Sequence, residues 1–435
     1  MSGEKPRQIA AQVLQRHRAG AGFIEEIFEN TLARSPLAAV DRALCQELVF
    51  GTVRWQSTLD WLVRRKTGAR PQKPALRALL WLGLYQLFWL DRIPPHAAVH
   101  ETVELAKQSG CGPQAGFVNA LLRGYLREFD ATRLLLAELK DSAPHLGYSH
   151  PEWLVARWRE RWSPAQVARL LDWNNTPPRT CARVNALRTD PARLLARWRE
   201  EKVEADPVRR DWLEENLVFE FKAHPPLATL RSFQEGDFYV QDPGTLLAVR
   251  ELDPQPGETI LDLCAAPGGK TTYAAQLMGN RGRIIAYDAS RDRLKLLTEN
   301  CARLGVTCVQ TAPPARSPSP GTNLPPVDFH RILVDAPCSN TGVIRRRVDL
   351  RWRLRAEEIG RLRKIQSSLL LQAAPRLKPG GTLVYSTCSL EPEENRQIVE
   401  QFLRADSRFR LDRERGLMPF ADGVDGAYVA RLVRA

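Results

Sequence analysis

Two cysteines stand in similar surroundings toward the C-terminal end of the chain. Cys338 lies in Asp335-Ala336-Pro337-Cys338-Ser339-Asn340-Thr341-Gly342, and Cys388 lies in Ser386-Thr387-Cys388-Ser389. Each follows an apolar run of strand character, residues 331–334 and 382–385, and each is surrounded by small polar residues. A single cysteine of this kind is ordinarily inert core. Two in matched positions just beyond strand ends, where open α/β sheets keep their ligands, point to chemistry. They are far apart in sequence and form no CxxC pair, so dithiol redox cycling has the weaker claim.

Upstream, the stretch LDLCAAPGGKTT (residues 261–272) joins an apolar strand to a helix through Cys264-Ala265-Ala266-Pro267-Gly268-Gly269-Lys270. Two adjacent glycines in a strand–turn–helix let a ligand approach the backbone, which makes this a cofactor loop. It is not a triphosphate loop, because Cys264 occupies the place of the first glycine in GxxxxGK[ST], and the dinucleotide fingerprint fails for the same lack. A second strand ends at Asp288. A carboxylate there can accept from both vicinal hydroxyls of a ribose; capping the helix that begins near Ser290 is the competing role, and the glycine loop favours the ribose.

The elements that must position these groups follow from texture. At 435 residues the chain exceeds one ordinary core. Residues 1–135 read as an all-α bundle, with a further helical stretch over 136–175. Pro74 opens one helix, Asp41 is a candidate N-cap for another, and the run from Ala78 to Leu90 is a buried helix too short for a bilayer, which needs roughly 20 residues. Trp153, Trp158, Trp162 and Trp173 recur at helical spacing, and most of them read as core or domain-interface residues. Residues 176–235 form a small α/β segment, with Asp190 capping its helix, and regular βα alternation over 236–435 implies a Rossmann-like domain with a mostly parallel sheet.

The 63 Lys and Arg against 50 Asp and Glu give a net charge of +13, which favours a polyanionic partner. Arg7, Arg54, Arg64, Arg65, Arg123 and Arg127 in the bundle are candidate phosphate contacts or a solvated face, and Arg179, Arg183 and Arg188 beyond it belong to a segment that either touches a nucleic acid backbone or packs as an adaptor on the next domain. Arg345-Arg346-Arg347 with Arg351 and Trp352 reads as a phosphate clamp in preference to a solvated charge run. Eight scattered cysteines without metal-ligand spacing, and histidines that do not cluster with them, predict no metal site and a reducing compartment. The N-terminal residues carry no secretion signal. A cytoplasmic protein, without membrane attachment, is expected.

Together these motifs closely resemble the bacterial small-subunit ribosomal RNA cytosine-5 methyltransferases often called Sun or Fmu. The resemblance spans nearly the whole chain, including an N-terminal domain like that of an antitermination factor, and the two cysteine motifs are its most specific part. It implies S-adenosylmethionine as cofactor, held by Cys264 through Lys270 and by Asp288, and 16S ribosomal RNA or an assembling small subunit as partner. By the same resemblance Cys388 attacks C6 of cytosine, Cys338 assists release of the methylated product, and Asp335 neighbours both base and cofactor. Pro337 and the arginines at 345, 346, 347 and 351 would touch substrate, and a monomer is the default. A noncatalytic RNA-binding assembly factor, or the same chemistry on transfer RNA or another ribosomal site, are the alternatives.

The chain departs from the family pattern three times. Asn340 replaces a motif glycine, and Arg347-Val348 stands where His-Pro is common. Thr311 and Ala312 occupy the place of an acidic residue that holds the adenine amino group; losing that bond costs about 1.5–3 kcal/mol, a weakening of about tenfold to a hundredfold.

Overall fold

The computed structural model describes residues 5–20, 22–68, 70–312 and 328–435. The proline-rich stretch beyond Ala312, expected to be an exposed loop, lies outside them. By internal contacts the chain divides into two compact units: Met1–Thr176 with Ile344–Arg353, and Pro177–Val343 with Leu354–Ala435.

The first unit is helical. Pro74 and Pro95 each sit at the first turn of a helix, Pro74–Trp89 and Pro95–Gln108, where a missing N–H costs nothing. The Pro74–Trp89 helix is apolar on all sides, and Leu79, Leu80, Leu82 and Leu84 are fully buried in the core. Asp41 is not the N-cap expected of it: the helix Ala39–Arg54 starts two residues earlier, which leaves Asp41 in the first turn, where a negative charge still suits the helix dipole. Trp158 is buried, as its spacing predicts.

The segment Ile344–Arg353 is threaded into this unit although it follows the Cys338 motif in sequence. Val348 joins the helical core, Trp352 Nε1 donates to the Val53 carbonyl at 2.8 Å, and Asp349 accepts from the Ile24 N–H at 3.1 Å. Arg351 is wholly buried and donates to the carbonyls of Ser149 (3.1 Å) and Asn174 (2.8 Å) and to Asn175 Oδ1 (2.8 Å). Burial, with Arg54 nearby, holds its guanidinium well below the usual arginine range. The phosphate-clamp expectation therefore fails for Arg351, whose terminal nitrogens are buried against protein oxygens. Arg345 is also buried, stacked 4.0 Å over the Trp173 ring. Arg347 is exposed, with Glu25 near enough to feel its charge, and Arg346 is half-buried. Arg54 is buried too and leaves the set of candidate phosphate contacts.

Replacing Arg351 by Met is expected to lower the unfolding free energy by about 3–5 kcal/mol in urea titrations, because it strands these buried acceptors. A true phosphate ligand would instead leave stability unchanged and reduce the salt dependence of RNA binding by about one ion.

The second unit holds two sheets. The smaller is antiparallel and formed by β1 (Cys181–Val184), β2 (Glu204–Pro207), β3 (Val218–Ala223) and β4 (Phe238–Val240), in the order β2-β3-β1-β4. Asp190 caps its helix Pro191–Glu200, as expected, and accepts from the Arg193 N–H at 3.0 Å. The larger sheet comprises β5 (Thr259–Leu263), β6 (Arg283–Tyr287), β7 (Val309–Ala312), β8 (Phe329–Asp335), β9 (Leu377–Thr387), β10 (Phe409–Leu417) and β11 (Ala427–Arg434). Its order is β10-β11-β9-β8-β5-β6-β7, with β7, β6, β5, β8 and β9 parallel and the β10–β11 hairpin antiparallel at one edge. The chain proceeds outward from β5 to β7, then restarts at β8 on the other side of β5. This reversal opens a crevice beyond the C-terminal ends of β5 and β8, where such sheets bind ligands.

Candidate active site

Three strand ends meet at this crevice. β8 and β9 run parallel with Asp335 beside Ser386, so the cysteines three and two residues further on emerge side by side. The Sγ atoms of Cys338 and Cys388 are 3.4 Å apart. Gly342 is required for this approach: its N–H donates to the Cys388 carbonyl at 2.9 Å, and a Cβ there would lie 2.7 Å from that oxygen. Cys388 donates to Asn340 Oδ1 at 3.0 Å while Asn340 Nδ2 donates to the Cys338 carbonyl at 2.7 Å. Asn340 has φ 57°, a conformation asparagine adopts at little cost, which explains how it replaces a glycine. The hydrogen bond with Cys388, together with burial, pushes the Cys338 thiol well above the usual range.

Asp335 is shared between Lys270 Nζ, 2.7 Å from Oδ2, and Ser386 Oγ, 2.8 Å from Oδ1. Burial works against the Lys270 ammonium, but Asp335 outweighs it and Cys388 adds in the same direction, so its affinity for the proton is raised. Lys270 thus links the glycine loop to the base of the cysteine loops.

In the glycine loop Gly268 has φ +104° and a Cβ there would meet Leu297 Cγ at 3.1 Å. Asp288 is buried; it accepts from Ala266 N (3.2 Å) and Ser290 N (3.0 Å) and pairs with Arg293 at 3.3 Å. The N-cap of the next helix is Ser290, so Asp288 does not cap it. Asp262, on β5, accepts from Thr271 Oγ1 at 2.6 Å, yet its buried Oδ1 has no partner. A loop with two buried carboxylates, one with an unmet acceptor, fits a ligand rich in hydroxyl and amino donors.

Arg183 reaches this loop from the small sheet, donating to the Gly269 carbonyl at 2.8 Å and to Thr272 Oγ1 at 3.0 Å. It is buried between the rings of Tyr239 and Tyr273, and burial lowers its guanidinium to about 10. Of the two expectations for Arg183, nucleic-acid contact or packing of the small segment against the next one, its bonds to the glycine loop fit the second. Sequence reasoning also missed Ser386, Asp262 and Glu394, which no spacing rule marks.

Burial raises the Asp262 carboxyl from its ordinary 3.8 to about 7. The folded state therefore binds this proton more tightly than the unfolded chain, and the associated stability is complete below pH 3.8 and lost as pH rises through 7. Asp262→Asn is expected to flatten the decline of melting temperature between about pH 5 and 8, measured against the unaltered protein by scanning fluorimetry.

Among the described residues no helix is long and apolar enough to cross a membrane, and no group of three or more His, Cys, Asp or Glu is placed to hold a metal ion.

Comparison with known proteins fits this geometry. A family model described as 16S rRNA methyltransferase RsmB/F matches residues 249–432. The NusB family model matches 4–127, and a ferredoxin-like domain of RsmF/B-like methyltransferases matches 150–220. A Bacillus subtilis protein named probable ribosomal RNA small subunit methyltransferase B is 36% identical over 93% of this chain and 90% of its own. The chain belongs to the ribosomal RNA small subunit methyltransferase B family. A Synechocystis relative of the same name is 38% identical over 93% of this chain and 90% of its own. The crystal structure of PH0851 covers 99% of both chains with TM-score 0.79 at 25% identity.

Proposed function

We propose that the protein transfers a methyl group from S-adenosylmethionine to C5 of a cytosine in 16S ribosomal RNA, through a covalent bond between Cys388 and C6. The observation that carries this reading is the pair of sulfurs 3.4 Å apart, with the Lys270–Asp335 pair in contact with the same pair of strand ends.

C5 of cytosine is a poor nucleophile. Addition of the Cys388 thiolate at C6 turns C5 into an enamine-like carbon that can attack an electrophile. Electron density then arrives at the N3 side of the ring, where Asp335 and the Lys270 ammonium offer a hydrogen-bond partner and positive charge. S-adenosylmethionine supplies the electrophilic methyl; Cys264 through Lys270, with Asp288, would hold it. After transfer the C5 proton must leave before Cys388 can depart, and Cys338 is the neighbouring group able to take it. The target base has to leave its stack, which costs least in a loop or single-stranded region. Arg347, the exposed member of the 345–351 run, would meet the backbone.

Thr311 and Ala312 close β7 without a carboxylate, so cofactor binding is the first quantity to measure. The test is calorimetry with S-adenosylmethionine, followed by methyl transfer to unmodified 16S ribosomal RNA and nucleoside analysis of the product. 5-Methylcytidine is the expected product; cofactor binding with methyl at any other position would refute the C5 chemistry. Failure to bind cofactor with or without RNA would instead favour a noncatalytic assembly factor, and product only on transfer RNA would reassign the substrate.

A further inference from the structure

Glu394 lies outside all the residues given a role above, yet it touches both cysteine loops. It is fully buried. Oε1 accepts from the Ser339 backbone N–H at 2.9 Å and from Gln366 Nε2 at 3.1 Å. Oε2 accepts from Ser389 Oγ at 2.5 Å and from Ser339 Oγ. Ser339 directly follows Cys338 and Ser389 directly follows Cys388, and the two hydroxyl oxygens are themselves 3.0 Å apart. The surrounding framework is fixed in turn: Gln366 also donates to the Pro337 carbonyl at 3.0 Å, and Tyr385 on β9 donates its hydroxyl to the Glu394 carbonyl at 2.6 Å.

A buried carboxylate is costly unless its oxygens are met, and here four donors converge on it. Three of those donors belong to the residues that adjoin the two thiols. Asn340 also ties the loops, through Cys388 Sγ and the Cys338 carbonyl, but it holds one thiol by a single side-chain bond, and the ties at Thr341 and Gly342 lie further along the chain from Cys338. We propose that Glu394 is a positioning residue: its carboxylate bridges the turn after Cys338 to the turn after Cys388 and thereby sets the separation of the two thiols. This rests on the reading of Cys388 as the attacking group and Cys338 as the releasing group. They act on neighbouring ring atoms, C6 and the hydrogen on C5, so both steps depend on that separation. None of its hydrogen bonds goes to a sulfur; its charge adds to the causes that raise the Cys338 thiol, behind the hydrogen bond with Cys388 and burial.

The separation can be read without RNA or cofactor. Phenylarsine oxide condenses with two nearby thiols to a cyclic dithioarsenite, releasing one water, and does so stably only when both sulfurs reach one arsenic. The unaltered protein is expected to capture one equivalent through Cys338 and Cys388, scored by mass and by protection of both thiols from alkylation; Cys388→Ala removes this capture. Glu394→Ala is expected to slow capture at least tenfold and to lower kcat by about a hundredfold, the usual cost of an ångström of misplacement. KM for RNA and affinity for S-adenosylmethionine should stay near those of the unaltered protein. Glu394→Gln, which keeps one carbonyl oxygen and lets the serine hydroxyls turn, should recover most of both properties. Should Glu394→Ala fail to fold, the double variant Ser339→Ala, Ser389→Ala removes the same bridge while keeping the carboxylate.

Capture and kcat unchanged in Glu394→Ala, or in the serine double variant where that is the one that folds, would overturn the assignment, as would absence of capture in the unaltered protein. Loss of methyl transfer in the unaltered protein with capture behaving as expected would refute the chemistry proposed for the thiols and leave the bridge standing.

Discussion

Cys388→Ala is expected to abolish methyl transfer, with kcat reduced by about 10⁴-fold or more, while S-adenosylmethionine and RNA still bind. The size follows from what the thiol does: without addition at C6, C5 has no usable nucleophilicity, and proximity of cofactor and base cannot supply it. Little else in the site should change. Cys388 is half-buried; the alanine loses one hydrogen bond to Asn340 and one contact with Cys338. The sharpest readout is RNA carrying 5-fluorocytosine at the target position. Fluorine at C5 blocks elimination, so the unaltered protein should be trapped in a complex that survives denaturing electrophoresis, and Cys388→Ala should give none. Trapping that persists in Cys388→Ala would show that another residue is the nucleophile; Cys338, next to it, would be the first to examine.

How far the sequence could be read depended on whether the relevant signal was local. Strand, turn and helix around Gly268 and Gly269, and the strand ends bearing Cys338 and Cys388, announce themselves because βα alternation is periodic and its ligand-binding ends are predictable. The parallel pairing of β8 with β9 then brings the thiols together without any further signal. The arginines show the limit. Arg345, Arg346, Arg347 and Arg351 look alike as composition, and only tertiary packing separates Arg351, spent on buried carbonyls, from Arg347 at the surface. Arg54 differs from the solvated arginines in the same way, since nothing local marks its burial.

β10 left no trace for a related cause. As an edge strand it carries Arg410, Asp412, Arg413, Glu414 and Arg415, charges that protect an unpaired edge but read as solvated chain. Glu394 sits in Glu391-Pro392-Glu393-Glu394, where nothing distinguishes it from its exposed kind until the fold closes around it.

Cys338→Ala is expected to have the opposite phenotype to Cys388→Ala: methyl transfer occurs once, and the protein then accumulates on its RNA. The order of events explains why. Before reaction the Cys338 thiol is held protonated, first by its hydrogen bond with Cys388 and next by burial. Once the Cys388 sulfur is bonded to carbon, the first of these causes is gone, and Cys338 gives up its proton more readily at the moment a base is needed at C5. In the alanine variant no thiolate forms there, and loss of a positioned base slows elimination by about 10²–10⁴-fold. With S-adenosylmethionine present, Cys338→Ala should therefore give a near-stoichiometric adduct with ordinary RNA, stable to denaturing electrophoresis. Release by the unaltered protein should quicken as pH rises, because more of Cys338 is ionised, whereas residual release by the variant should be much less dependent on pH. Normal turnover without adduct in Cys338→Ala would mean that another base takes the C5 proton, and the close approach of the two thiols would then need an explanation other than release.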